Sequence, residues 1–199
     1  MIYRVDYRYG IKKITAMSRE DLTDDDRDQL PQARHDDVDG LRHLMPVGFR
    51  PACINDVPAI VSMLADDLLG ARREDTSLPI SSRYLNAFAA IKADSNQLLL
   101  VADRANVAIA CLQITFIPTL SHQGMWRGQI SGVRVAQLER GNWIGSQMIR
   151  FAIDECRRRG CGIVQLATSK SRVDAHRFYE KLGFTASHEG MKLALTSAA

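Results

Sequence analysis

Val133-Arg134-Val135-Ala136-Gln137-Leu138-Glu139-Arg140-Gly141-Asn142-Trp143-Ile144-Gly145-Ser146 starts as a strand and runs through a glycine-bearing turn into a helical pattern. Glycines at such a turn let backbone amides approach a ligand closely. The helix start adds unpaired N–H groups and the positive end of the dipole, which suit a phosphate. Arg140 contributes a planar cation beside Gly141. Locally two readings stay open: a phosphate-binding turn, and a strand-to-helix turn with no ligand.

Downstream, Met148, Ile149, Ala152, Ile153 and Cys156 keep helical spacing from Gly145 to Arg159, and Gly160 is a natural stop. Asp154 with Arg158 and Glu155 with Arg159 form i,i+4 pairs on that pattern. Ile163 to Thr168 reads as a strand and Ser171-Arg172-Val173-Asp174 as a capping box. Ala175, Phe178, Tyr179 and Leu182 define a helix stopped by Gly183. Phe184 to His188 and Met191 to Leu195 are expected to close as a hairpin around Glu189-Gly190.

Upstream, Met125 to Val135 reads as one long strand with Gly128 and Gly132 as bulge points. Gln97 to Asp103 and Val107 to Ile117 are apolar runs joined by the polar turn Arg104-Ala105-Asn106, which predicts a hairpin. Two amphipathic helices precede them. One follows the N-cap signal Asn55-Asp56 and carries Val57, Ile60, Val61, Leu64 and Leu68 as far as Gly70. The other follows Ser81-Ser82 and carries Tyr84, Leu85, Phe88 and Ile91. A first strand lies at Phe49 to Ala52. A β-meander followed by strand, helix, strand and helix indicates a mixed α/β sheet.

The composition is that of a globular protein, 46% hydrophobic and 25% charged over 199 residues, enough for one domain with a substantial core and an appendage. Residues 1–45 carry 8 Lys and Arg against 10 Asp and Glu, a net −2, which leaves +5 for the remainder. Arg19 to Asp28 holds one strong hydrophobe among many charges, so 1–45 is expected to be a charged, flexible leader dispensable for folding. A modestly basic domain suits an anionic small ligand and is too weakly charged to argue for nucleic acid. No run is long and apolar enough for a membrane span, and Met1 to Arg19 alternates apolar with charged residues, so a cytoplasmic protein is expected. Cys53, Cys111, Cys156 and Cys161 are scattered without a metal-ligand spacing, so free thiols and no structural metal are expected.

The order strand, Arg140-Gly141-x-x-Ile144-Gly145-Ser146, helix, strand, then Ala175-x-x-Phe178-Tyr179-x-x-Leu182-Gly183-Phe184 resembles the GNAT superfamily of acetyl-CoA-dependent N-acetyltransferases over about residues 47–196. Asp174 to Tyr179 with Ser187-His188 also resembles bacterial members that include the aminoalkylphosphonate acetyltransferases. The resemblance implies an N-acetyltransferase domain over 46–199. Its fold would be a mixed, mostly antiparallel sheet flanked by helices, with a V-shaped splay between the fourth and fifth core strands. It further implies that the backbone of Val133 and Val135 pairs with the pantetheine arm of acetyl-CoA. Arg140, Gly141, Asn142, Trp143, Gly145 and Ser146 would cradle the pyrophosphate, and Tyr179 would lie near the sulfur as the catalytic residue. The expected acceptor is a small-molecule primary amine, with no nucleic-acid or membrane partner and a homodimer as the candidate assembly. Two alternatives are an acetyl-CoA-binding regulatory module without turnover and a protein-directed acetyltransferase.

Three positions depart from the superfamily pattern: Trp143 stands where glycine is usual, Arg172 where asparagine is common, and Ser131 where glutamate often serves as general base. A serine hydroxyl cannot take that proton at neutral pH, which leaves a water chain first, then His122, Asp67 or Glu74. Tyr179, protonated at neutral pH, can donate to a departing thiolate; its alternative role is core packing beside Phe178. Arg157-Arg158-Arg159 reads as a solvated helix end, and Arg177 and Lys170 as candidates for the nucleotide end of the cofactor. Cys111 and Cys156 fall on apolar faces, where packing is favoured over nucleophilic chemistry. A dinucleotide fold is disfavoured because Gly141 and Gly145 do not make a G-x-G-x-x-G.

Overall fold

The computed structural model describes residues 2–8, 11–17, 45–67 and 70–195, and the chain divides into two compact units, Met1–Met45 and Pro46–Ala199. In the first unit β1 (Ile2–Arg8) pairs antiparallel with β2 (Ile11–Met17), from Ile2 opposite Met17 to Arg8 opposite Ile11. Alternation of apolar and charged residues, as in Tyr3-Arg4-Val5-Asp6, suits that two-residue period. The charged stretch Arg19 to Asp28 lies outside the described residues.

The second unit is built on a five-stranded sheet in the order β3-β4-β5-β6-β7. The strands are β3 (Gly48–Pro51), β4 (Gln97–Arg104), β5 (Val107–Pro118), β6 (Trp126–Val135) and β7 (Cys161–Leu166). Neighbours are antiparallel except β6 and β7, which are parallel and therefore need a crossover. That crossover is helix α3 (Ile144–Arg158); α1 (Val57–Ala65) and α2 (Ser82–Ala93) precede the meander, and α4 (Val173–Glu180) follows β7.

The turn between β4 and β5 is tighter than the three-residue loop expected: Ala105 and Asn106 both take positive φ, 52° and 63°, as a two-residue hairpin turn requires. Opposite β5, Leu112 faces both Gly132 and Val133, so β6 bulges there, with Gly132 at φ 61°. Gly128 is no bulge against β5. A Cβ at that position would run into the Sγ of Cys156, so glycine is there to let α3 lie close on the strand.

The core has two faces. On one, Met148, Ile149, Ala152 and Cys156 of α3, all fully buried, pack on Leu100, Leu112, Ile114, Phe116 and Ile130. Each large apolar side chain buried this way contributes about 1.5–3 kcal/mol. On the other face Ile60 and Met63 of α1 cover Val101 and Cys111, and Val57 and Val61 meet Phe88 of α2. Arg159 closes α3 by stacking its guanidinium 4.2 Å from the Phe116 ring centroid and donating to the Ser95 carbonyl at 2.7 Å. Arg157 pairs with Asp154 at i,i+3, where the sequence suggested Arg158, and Arg158 and Arg159 share Glu155.

Three expectations fail for local reasons. Helix α1 ends at Ala65 instead of Gly70, because the Asp67 carboxylate accepts the Gly70 N–H at 2.6 Å and turns the chain. The capping box at 171–174 does not form: Arg172 is the N-cap, and the Ser171 hydroxyl is engaged by Ser169. Residues 184–195 make no hairpin; Met191, Leu193 and Leu195 are 98%, 85% and 91% exposed. Their alternation supplies an apolar face, but no described strand lies against it. Among the described residues no helix is long and apolar enough to cross a membrane.

Candidate active-site cleft

The parallel ladder between β6 and β7 runs from Trp126 opposite Cys161 to Ile130 opposite Leu166 and stops. Beyond it β6 continues alone on that side through 131–135, so the two strands part and a cleft of about 550 Å³ opens. Val133, Arg134 and Val135 form its floor. The turn from Arg140 to Ser146 lies at one end, Phe178 and Tyr179 of α4 at another, and Asp66 and Asp67 beyond the end of α1 close the side.

The turn has the geometry of an anion cradle. Gly141 is at φ 84° with open space around its Cα, so backbone conformation and not crowding demands glycine there. Trp143, the N-cap of α3, sits at φ 62° and ψ 0°, a left-handed conformation that costs a non-glycine residue about 1 kcal/mol. That strain explains why glycine would be the simpler choice at 143. Gly141 and Trp143 take left-handed conformations on either side of Asn142, ahead of the N–H groups that the first turn of α3 leaves without intrahelical partners. The Trp143 indole is 77% exposed.

Two ion pairs hold the turn in place. Glu139, in the 3-10 turn Gln137–Glu139, accepts from Arg104 at 2.6 Å, with both side chains buried. Arg140 donates from Nε to the Val135 carbonyl at 3.1 Å and from Nη2 to the Asp66 carboxylate at 2.6 Å. The Arg140 fork expected to face a phosphate is thus engaged by the protein itself and ties the turn to the end of α1.

At the inner end, Tyr179 packs edge-on against Phe178 and Phe184, with ring centroids 5.1 and 5.9 Å away. Burial pushes its phenol above the usual tyrosine range, against the opposing positive charges of Arg172 and Arg134. It therefore stays protonated across neutral pH. Arg134 and Arg172 both contact the Asp67 carboxylate, at 3.3 and 3.4 Å.

Of the residues singled out in the sequence, Val133, Val135, Arg140, Gly141, Trp143, Gly145, Ser146 and Tyr179 line this one cleft; Asn142 is exposed and does not. Of the three side chains named as proton acceptors, Asp67 lines it. Glu74 instead accepts from the Tyr84 hydroxyl at 3.0 Å, and His122 sits in the turn after β5. Ser131 lies opposite Gln113 on β6, just before the bulge. A groove between α3 and α4 adjoins the cleft through Trp143 and holds Arg150, Arg177 and Lys181. Lys170 pairs with Glu189 and does not line that groove. Sequence reasoning missed Arg134 and Asp66, whose partners are more than sixty residues away. Cys111 and Cys156 are fully buried, and burial pushes both thiols up to about 12, consistent with packing.

Residues 63–184 match the model of the acetyltransferase (GNAT) family. The aminoalkylphosphonate N-acetyltransferase of Salmonella typhimurium is 33% identical over 105 residues, 53% of this chain and 68% of that protein. A solved structure described as a transcriptional regulator from Bacillus halodurans is 47% identical, covers 75% of this chain and all of that one, and superposes with a TM-score of 0.74. The glucosamine-6-phosphate N-acetyltransferase of Arabidopsis thaliana shares the fold at 20% identity, with a TM-score of 0.63 over 76% of this chain and 99% of its own.

Proposed function

The chain belongs to the acetyltransferase (GNAT) family, and from that premise we propose that it transfers the acetyl group of acetyl-CoA to the primary amine of a small-molecule acceptor by direct attack. The observation that carries this reading is the cleft where β6 leaves β7, with an anion cradle at one end and a protonated tyrosine at the other. Its residues fit acetyl-CoA, which supplies the activated acetyl group. The free edge of β6 at Val133 and Val135 would pair with the pantetheine amides. The Gly141 to Ser146 amides would take the pyrophosphate, and the basic groove of Arg150, Arg177 and Lys181 the nucleotide end.

Proton traffic follows from the side chains present. The acceptor ammonium loses one proton through water, with Asp67 as the nearest of the proposed acceptors. As the N–C bond forms and the C–S bond breaks, Tyr179 gives its phenolic proton to the sulfur. The second proton of the nitrogen restores the phenol. A backbone N–H of β6 would donate to the thioester oxygen as charge develops there. Cytoplasmic location and a freely diffusing acceptor complete the proposal.

The test is thiol release from acetyl-CoA at pH 8 across amines, aminoglycosides, polyamines, aminoalkylphosphonates and peptides. Release should depend on one acceptor class and fall about a hundredfold in Tyr179→Phe, with folding unchanged. Saturable acetyl-CoA binding without release from any acceptor would refute turnover. It would favour a binding module, in line with the 47%-identical chain described as a transcriptional regulator.

A further inference from the structure

Three features meet at Trp143 that core packing does not explain. Its backbone, at φ 62° and ψ 0°, is left-handed, a conformation that glycine adopts without strain and a bulky side chain resists. Its indole is 77% exposed, and among the described residues no ring stacks on it and no cation lies over it. Its base is nevertheless fixed, since the Trp143 carbonyl accepts the Gln147 N–H at 3.0 Å as α3 begins. Strain is thus carried at a rigid position to hold in water a large aromatic ring that adds nothing to the core, a pattern that points to a ligand.

Trp143, Ser146 and Phe178 each line both the cleft and the groove between α3 and α4, so the indole stands at the passage from one to the other. The charged residues that line the groove are Arg150, Arg177, Lys181 and Asp174. Asp174 contacts Arg177 at 3.9 Å, and Asp154, one turn along α3 from Arg150, is taken by Arg157 at 2.7 Å. Arg150 and Lys181 therefore have no ion-pair partner among the described residues. Beyond the backbone cradle the surface offers an aromatic plane and then two uncommitted cations. That order is complementary to an aromatic base that carries a phosphate of its own.

Resting on the acetyl-CoA reading above, we propose that the Trp143 indole is a stacking platform for the purine ring of the donor, and that Arg150 and Lys181 hold the phosphate on its ribose. Trp143 is then a specificity-determining residue. It makes donor affinity depend on a nucleotide at the opposite end of the molecule from the reacting thioester. Arg177, already beside Asp174, contributes less.

Titration calorimetry compares acetyl-CoA, acetyl-dephospho-CoA, which lacks the ribose phosphate, and acetyl-4′-phosphopantetheine, which lacks the nucleotide. The proteins are wild type, Trp143→Phe, Trp143→Asn and the double variant Arg150→Met with Lys181→Met. Asparagine tolerates the left-handed region, so Trp143→Asn removes the ring and keeps the backbone amide in place. Stacking of ordinary strength predicts that Trp143→Asn weakens both purine-bearing donors about tenfold and acetyl-4′-phosphopantetheine less than about twofold, with Trp143→Phe close to wild type. The double variant should weaken acetyl-CoA about tenfold and acetyl-dephospho-CoA hardly at all. Trp143 fluorescence, read as the difference between wild type and Trp143→Phe, should be quenched by the two purine-bearing donors and not by the third. Acetyl-CoA affinity within about twofold of wild type in Trp143→Asn would overturn the proposal, as would quenching by acetyl-4′-phosphopantetheine. Purine-dependent binding that needs Trp143, with no thiol release for any amine, would support this inference while refuting the transferase reading. Thiol release with unaltered acetyl-CoA affinity in Trp143→Asn would do the reverse.

Discussion

Gly128→Ala tests whether the close approach of α3 to β6 sets the geometry of the cleft. The added Cβ would run into the Sγ of Cys156, which is fully buried and cannot swing into solvent. Overpacking of this kind costs about 1–3 kcal/mol, only partly offset by the lower chain entropy of alanine in the unfolded state. For a unit of this size, about 2 kcal/mol corresponds to a Tm decrease of about 4–8 °C. Cys156→Ala alone removes a buried sulfur and should cost about 1 kcal/mol. In the double variant the new methyl fills the space the sulfur leaves, so the two penalties should fail to add, with a coupling of about 1 kcal/mol or more. Urea unfolding at pH 7 measures all four corners of the cycle. Acetyl-CoA binding to the same proteins then reports whether the helix start has been displaced. Additive penalties would mean that α3 and β6 do not meet at this point, and the argument for glycine at 128 would fail.

Asp56 accepts from Arg50 at 2.7 and 2.9 Å and from the Cys53 N–H at 2.7 Å; the Arg50 guanidinium chiefly holds its carboxyl down at about 2. A depressed folded pKa stabilises above the unfolded value and is lost as pH falls from about 4 toward 2. The stability gap of about 2 kcal/mol between wild type and Asp56→Asn should therefore shrink in that window, and a pH-independent gap in urea midpoints would contradict it. Trp143→Gly should raise stability by about 1 kcal/mol by relieving the left-handed backbone, and should abolish most of the fluorescence change on adding acetyl-CoA. A destabilised variant would show that the indole packs more than its exposure implies. A thiol-modifying reagent at pH 8 should label exposed Cys53 within minutes and reach Cys111 and Cys156 only on unfolding; equal rates would contradict the buried core.

Much of this molecule is legible from short-range chemistry. Helix α3 declares itself by apolar spacing and by Gly160, which takes the positive φ of 75° that a helix stop calls for, and Gly183 at φ 91° does the same after α4. The bulge at Gly132 follows from a glycine in a strand. The rest depends on long-range pairing. Asp67 meets Arg172 across 105 positions and Arg104 meets Glu139 across 35, and no local spacing announces either. Ser171 failed as a cap because Ser169 competes for the same hydroxyl, a choice between two equivalent local bonds. Gly128 stands out in the sequence as a strand glycine, but its reason is the close approach of Cys156 on α3 and not a bulge, because the residue it accommodates lies on another element.

The bulge at Gly132 also acts as a counting device. Along β6, Gly128 and Ile130 face α3, so a regular strand would present position 134 to that same core and turn 133 and 135 away. Because one extra residue is accommodated at Gly132–Val133, the phase inverts: Val133 and Val135 join the α3 core, and Arg134 emerges toward Asp67. What the cleft needs at this point is a residue number more than a residue type. Removing a single amino acid here would send an arginine into a packed hydrocarbon layer and a valine to the charged wall. Replacing Gly132 with another residue would strain its backbone but leave every downstream side chain on its proper face. Insertions and deletions in this strand should thus be far more damaging than substitutions. A homologue that keeps the arginine while changing the strand length by one must restore the phase elsewhere before the end of β6.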